Sequence, residues 1–447
     1  MRASMIRLSA PWSSGAVLQH SKTLRLCGQT TADVPLTVLL EHDQVRITFS
    51  GHSNATGTFG IPLNAQPPSG PWTLRIFTDD SQLLQLDDLW FGELLLFAGQ
   101  SNVGWPLARY PEQLSVAMTD MQNQQRLRCY QSDHADFQLP GQWLALSLEQ
   151  CARWPALLYH FSQCYQPAEA DVMLGLVDLS WPGSAIDAWT QHAGDSITTQ
   201  AWQPGALFTA KLKPWLQQPF TALIWYQGEQ DAMGKAAARY GDQLQHWLQS
   251  CRLVAGWAFP LLLVQIAGFG QAGLPAPQHG FVLVRLAQQQ VAAANPHCSL
   301  VSAADLGAAD DIHPPFKAEL ARRLALCIRD QNNGLLLAQL LSSEVVAQQR
   351  KLVLQLPAAD WQCRPESDHS EKDALIAGFY LDDGNNGWIA VPARFSADRQ
   401  QLELSLPEPI TQQAKQLVYG LTPMPTLTLY TAEGLPLLPQ RWQLKTY

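Results

Sequence analysis

The chain lacks the features that mark several broad classes of protein. Lysine and arginine form no long run and the formal net charge is -9, which argues against nucleic acid and acidic membrane surfaces as partners. No stretch is apolar for the ~18 residues that a transmembrane helix requires. The N-terminal segment has no apolar region ahead of a small-residue cleavage site, so we expect no signal peptide and a cytoplasmic location.

The eight cysteines lack a pattern as well. None forms a CxxC pair or lies in a compact cluster with histidine. Because structural metal ligands normally come in tight pairs, we expect buried thiols in a reducing compartment and no metal site.

The composition is that of a folded protein, with 47% hydrophobic and 15% charged residues in 447. This length is too great for one ordinary core and predicts two or three domains. Three patterns follow one another along the chain. Short alternating strands with frequent turns fill residues 1–92, buried strands alternate with helices over 93–334, and the β pattern returns in 335–447.

We therefore predict an α/β protein with an N-terminal β-domain, a three-layer domain with a mostly parallel sheet, and a C-terminal β-sandwich. The predicted central strands are 93–97, 172–179, 222–226, 261–266 and 299–303. The predicted helices are 236–249, 281–294 and 316–327.

The first candidate site follows the strand at 93–97, where the chain reads AGQSN at residues 98–102. Ligands of open α/β sheets bind at the carboxyl edge of the strands, and a serine there can be an exposed nucleophile whose own N–H receives an oxyanion. Ser101 is that serine. The alternative is an ordinary Ser/Asn turn or helix cap.

The second candidate site is the segment ADDIHPP at residues 309–315, which precedes a predicted helix. Asp310 lies three residues before His313, a spacing that lets a carboxylate fold back and fix the histidine tautomer. The prolines after His313 make the turn rigid. The alternative is an acidic helix N-terminus with an incidental histidine.

Two further segments end strands with polar groups. Residues 222–231 carry Gln227, whose amide can meet an oxyanion, and Glu229, which can orient loops or meet sugar hydroxyls. After the strand at 172–179, Gly183 can bring its backbone N–H close to a substrate. The alternative for both segments is a strand-terminating turn.

Together these segments resemble the sialate O-acetylesterase-type carbohydrate esterases of the SGNH (GDSL-like) hydrolase superfamily. The motifs GQSNM, WGGT, WYQGES and DIHP of that family correspond here to GQSNV at 99–103, WPGS at 181–184, WYQGEQ at 225–230 and DIHP at 311–314. The motifs occur in the family's order. Four ordered motifs are far more specific than a lone short pattern.

The resemblance implies that Ser101 is the nucleophile, His313 the general base and Asp310 the triad acid, with Asp311 as the adjacent competitor. It also implies an oxyanion hole made by Ser101, Gly183 and Gln227. We further assign substrate contacts to a set of polar and aromatic side chains from the same motifs, namely Gln100, Asn102, Trp181 and Glu229. Val103, Pro182 and Gln230-Asp231 depart from the family pattern beside these residues.

The sequence thus predicts a serine esterase that removes acetyl groups from a small sugar or oligosaccharide without a metal or organic cofactor. Sialic acids and plant-wall oligosaccharides are both open as substrates, and a non-catalytic carbohydrate-binding protein and a lipid or thioester hydrolase are the alternative functions. Among the sixteen tryptophans and other aromatics, we expect Trp105, Trp189 and Tyr226 to stack on sugar rings, and Trp181 and Trp225 to close a small acyl pocket.

Overall fold

A computed structural model describes residues 6–78, 81–120, 126–167, 171–191, 200–330, 334–346, 349–364, 376–382, 384, 387–406 and 415–444. The fold is mixed α/β, with a large mixed sheet and additional antiparallel sheets. The chain divides into two compact units. Unit 1 is Met1–Gln227 with Gln245–Leu262, and unit 2 is Gly228–Leu244 with Leu263–Tyr447.

The first twelve strands precede Gly228. They are β1 (Arg7–Leu8), β2 (Val17–Gln19), β3 (Leu24–Gln29), β4 (Pro35–His42), β5 (Val45–His52), β6 (Thr58–Leu63), β7 (Ser69–Thr78), β8 (Ser81–Gly99), β9 (Leu127–Gln131), β10 (Gln142–Ala145), β11 (Leu174–Asp178) and β12 (Ala222–Tyr226).

The later strands are β13 (Leu261–Gln265), β14 (Cys298–Ser302), β15 (Gln339–Val346), β16 (Gln349–Gln355), β17 (Trp361–Cys363), β18 (Phe379–Asp382), β19 (Trp388–Ala390), β20 (Ala393–Phe395), β21 (Gln401–Leu406), β22 (Gln416–Tyr419), β23 (Leu429–Thr431) and β24 (Gln440–Gln443). The α-helices are α1 (Ser101–Gly104), α2 (Pro111–Asp120), α3 (Ala156–Cys164), α4 (Lys213–Leu216), α5 (Glu229–Ala232), α6 (Tyr240–Ala255), α7 (Gly280–Ala294) and α8 (Lys317–Arg329).

The N-terminal strands form two sheets because their side chains alternate between apolar and polar. In β4, Leu36, Val38 and Leu40 are fully buried while the residues between them are more exposed. This strand pairs antiparallel with β5 and β7, and β7 pairs antiparallel with β8. A separate sheet has the order β1-β3-β6. The β-rich character predicted for this region is present.

Strand β8 runs without a break from Ser81 to Gly99. Its first half pairs with β7, and its second half pairs in parallel with β11 and β12. The predicted boundary between residues 92 and 93 therefore falls inside one strand, and the two compact units do not follow the three predicted ranges. As limits of domains, those ranges stay a prediction.

Strands β9, β11, β8 and β12 lie side by side in that order and are parallel, while β10 joins β9 antiparallel. Every residue of β11 and of β12 is buried. Such continuous apolar runs are typical of parallel strands that are covered on both faces. The parallel strands predicted here are confirmed, and the sheet as a whole is mixed. The three-layer arrangement stays a prediction.

In unit 2, β14 leads to Asp305, whose carboxylate receives two hydrogen bonds of 2.7 Å from the buried Arg323 of α8. The Tyr430 hydroxyl donates to the same carboxylate over 3.0 Å. The strands after residue 338 form sheets with the orders β15-β16-β21-β20, β17-β23 and β19-β18-β22-β24, and they share one hydrophobic core. These sheets lie in the region predicted to be a C-terminal β-sandwich.

Three further observations concern the chain as a whole. Among the described residues, no helix is long and apolar enough to cross a membrane. The same part of the chain holds no group of three or more His, Cys, Asp or Glu side chains arranged for a metal ion. No disulfide joins any of the eight cysteines, all of which lie in the described part of the chain, and five of them are buried, namely Cys129, Cys151, Cys251, Cys298 and Cys327.

Candidate active site

Ser101 stands at the carboxyl end of β8 because Gly99 permits a sharp turn there. Gly99 has φ +137°, and a Cβ at this position would collide with the carbonyl oxygen of Tyr226 in the neighbouring β12. The turn is fixed by the Gln100 N–H, which donates to the same carbonyl oxygen over 3.1 Å. Ser101 then opens α1, with 7% of its surface exposed.

The loop after β11 is tied to the same turn. The Trp181 N–H donates to the Gly99 carbonyl over 2.9 Å. Within the loop, the Ser184 hydroxyl donates to the Trp181 carbonyl over 2.7 Å and accepts from the Trp189 indole over 2.8 Å. Gly183 has φ +66°, and a Cβ there would meet nothing within 4 Å. This loop therefore has a fixed shape with open space beside Gly183.

Gln227 follows β12 and is completely buried. Its side-chain Nε2 donates to the Ser184 carbonyl over 3.1 Å, which orients the amide against the loop that carries Gly183. The structure thus brings together the ends of β8, β11 and β12. Ser101, Gly183 and Gln227, predicted from separate motifs, lie on these three adjoining segments of unit 1.

The histidine segment belongs to unit 2 and lies between β14 and α8. Asp311 Oδ1 accepts a hydrogen bond of 2.8 Å from the His313 backbone N–H, and the same oxygen lies 3.9 Å from His313 Nδ1. Asp310 and Asp311 are both exposed, and 19% of the His313 side chain is exposed. Of the two predicted acids, Asp311 is the one that forms an ion pair with His313 in the structure. The role of Asp310 stays a prediction.

Lys317 in the first turn of α8 was not predicted from the sequence. It is buried, with 2% of its surface exposed. Burial lowers the pKa of its ammonium group to about 7, and the charges of Glu229 and Asp311 act in the opposite direction. Glu229 is itself buried at the start of α5. A buried base and two acids from predicted motifs therefore interact in unit 2. The sequence did not reveal this interaction, because 87 residues lie between positions 229 and 317.

Three aromatic predictions are wrong. Trp189 and Tyr226 are fully buried, so neither can stack on a sugar. Trp225 lies in the core between Trp189 and Trp247, with its ring centroid 4.1 Å from that of Trp247, and does not line an acyl pocket. The packing role weighed as the alternative is the right one. Trp105 is half-buried, with the Arg109 guanidinium 5.2 Å from its ring centroid.

Trp181 is nearly buried, but its ring contacts a group of side chains that motif analysis missed. The rings of His134, Phe137 and Trp202 lie edge-on to it, with centroids 6.0–6.4 Å away. The Lys211 ammonium lies 5.2 Å from the Trp181 centroid. Trp202 is 64% exposed. The remaining predicted substrate contacts, Gln100, Asn102 and Glu229, are buried at the ends of strands or the starts of helices.

Comparison with known proteins agrees with these motifs. The family model described as carbohydrate esterase, sialic acid-specific acetylesterase, matches residues 92–328. A carbohydrate acetylesterase from Xanthomonas citri superimposes with a TM-score of 0.82 at 25% sequence identity, covering 99% of this chain and 100% of that one. A search of curated proteins gives no match.

Other solved structures are more distant. A protein from Arabidopsis thaliana matches with a TM-score of 0.37 at 16% identity, covering 54% of this chain and 99% of that one. A family two carbohydrate esterase from Clostridium thermocellum, in complex with cellohexaose, matches with a TM-score of 0.32 at 10% identity. The match covers 69% of this chain and 88% of that one.

The fold and the family match together define a carboxylic ester hydrolase that acts on carbohydrates. Within that class, the chain belongs to the sialic acid-specific acetylesterase family of carbohydrate esterases.

Proposed function

We propose that this enzyme removes O-acetyl groups from a sugar with Ser101 as nucleophile, His313 as general base and Asp310 as the acid that orients His313. The observation that carries the proposal is the hydrogen-bonded junction of three strand ends, where the Gly99 turn presents Ser101 beside the loops of Gly183 and Gln227. Rigid positioning of a nucleophile and of hydrogen-bond donors is what acyl transfer requires.

The reaction proceeds in two halves. Ser101 Oγ attacks the acetyl carbonyl carbon while His313 takes its proton, and a tetrahedral oxyanion forms. The Ser101 and Gly183 backbone N–H groups and the Gln227 amide donate to that oxyanion. The sugar oxygen then leaves with the proton from His313. Water, deprotonated by His313, then attacks the acetyl-serine ester. As the bond from Ser101 Oγ to the acetyl carbon breaks, His313 returns the proton to Ser101 Oγ and acetate departs.

The acid of the triad comes from the pair Asp310 and Asp311. The spacing between Asp310 and His313 supports Asp310. The 3.9 Å approach of Asp311 Oδ1 to His313 Nδ1 supports its neighbour, although that distance is too long for a hydrogen bond. Exchanging each carboxylate for an amide separates the two assignments.

The substrate is proposed as an O-acetylated mono- or oligosaccharide. The family description supports sialic acids. A plant-wall oligosaccharide is the competing substrate, and the cytoplasmic location expected from the sequence stays a prediction.

The decisive experiment compares Ser101→Ala with Ser115→Ala, a matched change of an exposed serine on α2. We expect Ser101→Ala to lower kcat for 4-nitrophenyl acetate by a factor of about a thousand or more while the protein stays folded. A fluorophosphonate should label the parent enzyme and Ser115→Ala but not Ser101→Ala. Activity of Ser101→Ala within about tenfold of the parent would refute the assignment.

A further inference from the structure

A cavity of about 680 Å³ opens beside the helix that begins with Ser101. Its wall includes Gly104, which ends that helix, together with Ser132, His134, Gln142 and Asp178. We call it the β9–β11 pocket, because Ser132 and His134 follow β9 and Asp178 ends β11. Its volume is in the range of about 300–1,000 Å³ typical of small-molecule sites.

The pocket lies at the same sheet edge as Ser101. Strands β9, β11 and β8 are adjacent and parallel, so their carboxyl ends meet at one edge. Gly104 is three residues after Ser101 in α1, which corresponds to about 4.5 Å along a helix axis. A molecule in this pocket is therefore within a few ångströms of the helix that carries the nucleophile.

The wall contains a buried carboxylate. Asp178 has 1% of its surface exposed, and its Oδ1 accepts the Ser180 N–H over 2.9 Å. Its Oδ2 lies 3.6 Å from His134 Nε2, too far for a hydrogen bond. A Cβ on Gly104 would collide with Ser180 Oγ and would lie 3.2 Å from both Asp178 Oδ2 and the His134 ring, and Ser180 Oγ is itself 3.4 Å from His134 Nε2. The second carboxylate oxygen and the imidazole thus lie together beside the end of α1.

A buried cation balances this carboxylate. Lys211 lies on a π-helical turn, Phe208–Leu212, a geometry that often occurs at functional sites. Its Nζ donates to the Asp133 carbonyl over 3.1 Å. Burial lowers the pKa of Lys211 to about 8, while Asp178 and two further aspartates raise it. The lysine also contacts the Trp181 ring, which joins the pocket to the loop of Gly183.

We propose that the β9–β11 pocket binds the sugar ring of the ester substrate, with Asp178 accepting hydrogen bonds from ring hydroxyls and His134 contacting the same ring. A carboxylate is a strong acceptor for hydroxyl donors. The inference rests on the proposed function and names the side chains of the same site that hold the sugar ring.

The test compares two esters. One is a mono-O-acetylated methyl xyloside, and the other is 4-nitrophenyl acetate, which has no sugar ring. For each variant, the quantity measured is kcat/KM on the xyloside divided by kcat/KM on the aryl ester. We expect Asp178→Asn to lower this ratio by roughly ten- to a hundredfold and His134→Gln by roughly three- to tenfold, mainly through KM on the xyloside.

The controls are Asp171→Asn and His246→Gln, changes of exposed residues away from the pocket, which should leave the ratio unchanged. If Asp178→Asn fails to fold, His134→Gln still tests whether the pocket binds the sugar ring. A ratio within twofold of the parent for the folded pocket variants, or an equal loss on both esters, would overturn the inference.

Failure of the proposed function gives a different result, since Ser101→Ala would then retain activity on the aryl ester.

Discussion

The two segments that carry Ser101 and His313 are held in place by different forces. The serine segment is fixed by backbone hydrogen bonds among three parallel strand ends and by a glycine that no other residue can replace without collision. The histidine segment is surrounded by ionisable side chains, with Asp311 beside the ring and Lys317 buried in the following turn. Backbone hydrogen bonds do not depend on the protonation of side chains, whereas the charges of buried ionisable side chains change with pH. The contrast predicts that backbone changes damage the serine segment and that charge and pH changes affect the histidine segment.

The largest effect is expected at Gly99. Gly99→Ala should destabilise the protein by about 3–5 kcal/mol, because the new Cβ collides with the Tyr226 carbonyl and φ +137° is strained for any L side chain. Urea unfolding at constant pH measures the loss. Gly183→Ala is the matched control, since its Cβ enters open space at φ +66°, and it should cost only about 1–2 kcal/mol. Equal losses would contradict the collision.

The next effect concerns the acid of the triad. Asp310→Asn is expected to lower kcat by about a hundredfold or more, since His313 would lose the group that fixes its tautomer. Asp311→Asn keeps an oxygen for the His313 N–H and should lower kcat by less than about tenfold. Steady-state kinetics on 4-nitrophenyl acetate decides. The reverse order would move the triad acid to Asp311, as the 3.9 Å distance favours.

Part of the fold and of the candidate site could be predicted from the sequence, and part could not. The apolar run ALIWY predicted β12 with its observed bounds, because fully buried parallel strands are continuous apolar stretches. The same property made the positions of Trp225 and Tyr226 unpredictable. A strand covered on both faces shows no alternation of polar and apolar residues, so the sequence does not indicate which side chain faces a ligand. His134, Asp178 and Lys211 went unnoticed because they come together only through the pairing of β9 with β11 and the packing of a π-helical turn.

A smaller effect is expected from Lys317. Its pKa of about 7 in the folded protein is below the value near 10.4 of an unfolded chain, so between these values the unfolded state binds more protons and stability rises with pH. The cost of burying the charged ammonium group is fully present below about pH 7. Lys317→Met removes this cost. Between pH 7 and pH 9, the free energy of unfolding of the parent protein should therefore rise by about 1–2 kcal/mol relative to that of the variant.

The measurement is the free energy of urea unfolding of both proteins at pH 7 and pH 9. The difference between the proteins cancels the contribution of titrating groups that do not interact with Lys317, including the buried thiols. A difference that does not change with pH would show that Lys317 has an ordinary pKa.

The smallest effect is expected at Pro182, where relatives carry glycine in the WGGT motif. Pro182→Gly should destabilise the protein by about 0.4–1 kcal/mol, because the unfolded chain gains freedom while the loop keeps its hydrogen bonds from Trp181 and Ser184. Thermal unfolding measures this change. A loss of several kcal/mol would mean that the proline ring itself holds the serine segment in shape.

Strand β8 also limits how the protein can be divided. Its residues from Ser81 to Gly99 pair first with β7 and then with β11 and β12, so one uninterrupted strand serves the N-terminal sheet and ends at the nucleophile. A fragment that begins at residue 93 would start in mid-strand. It would keep the pairs of β8 with β11 and β12, but the Leu94 N–H would lose the Gln19 side-chain oxygen that accepts its hydrogen bond over 3.0 Å. A cut at that point would leave a buried backbone donor without its partner on the strand that leads to the nucleophile. A shortened enzyme that keeps this contact has to begin ahead of β2, which supplies Gln19.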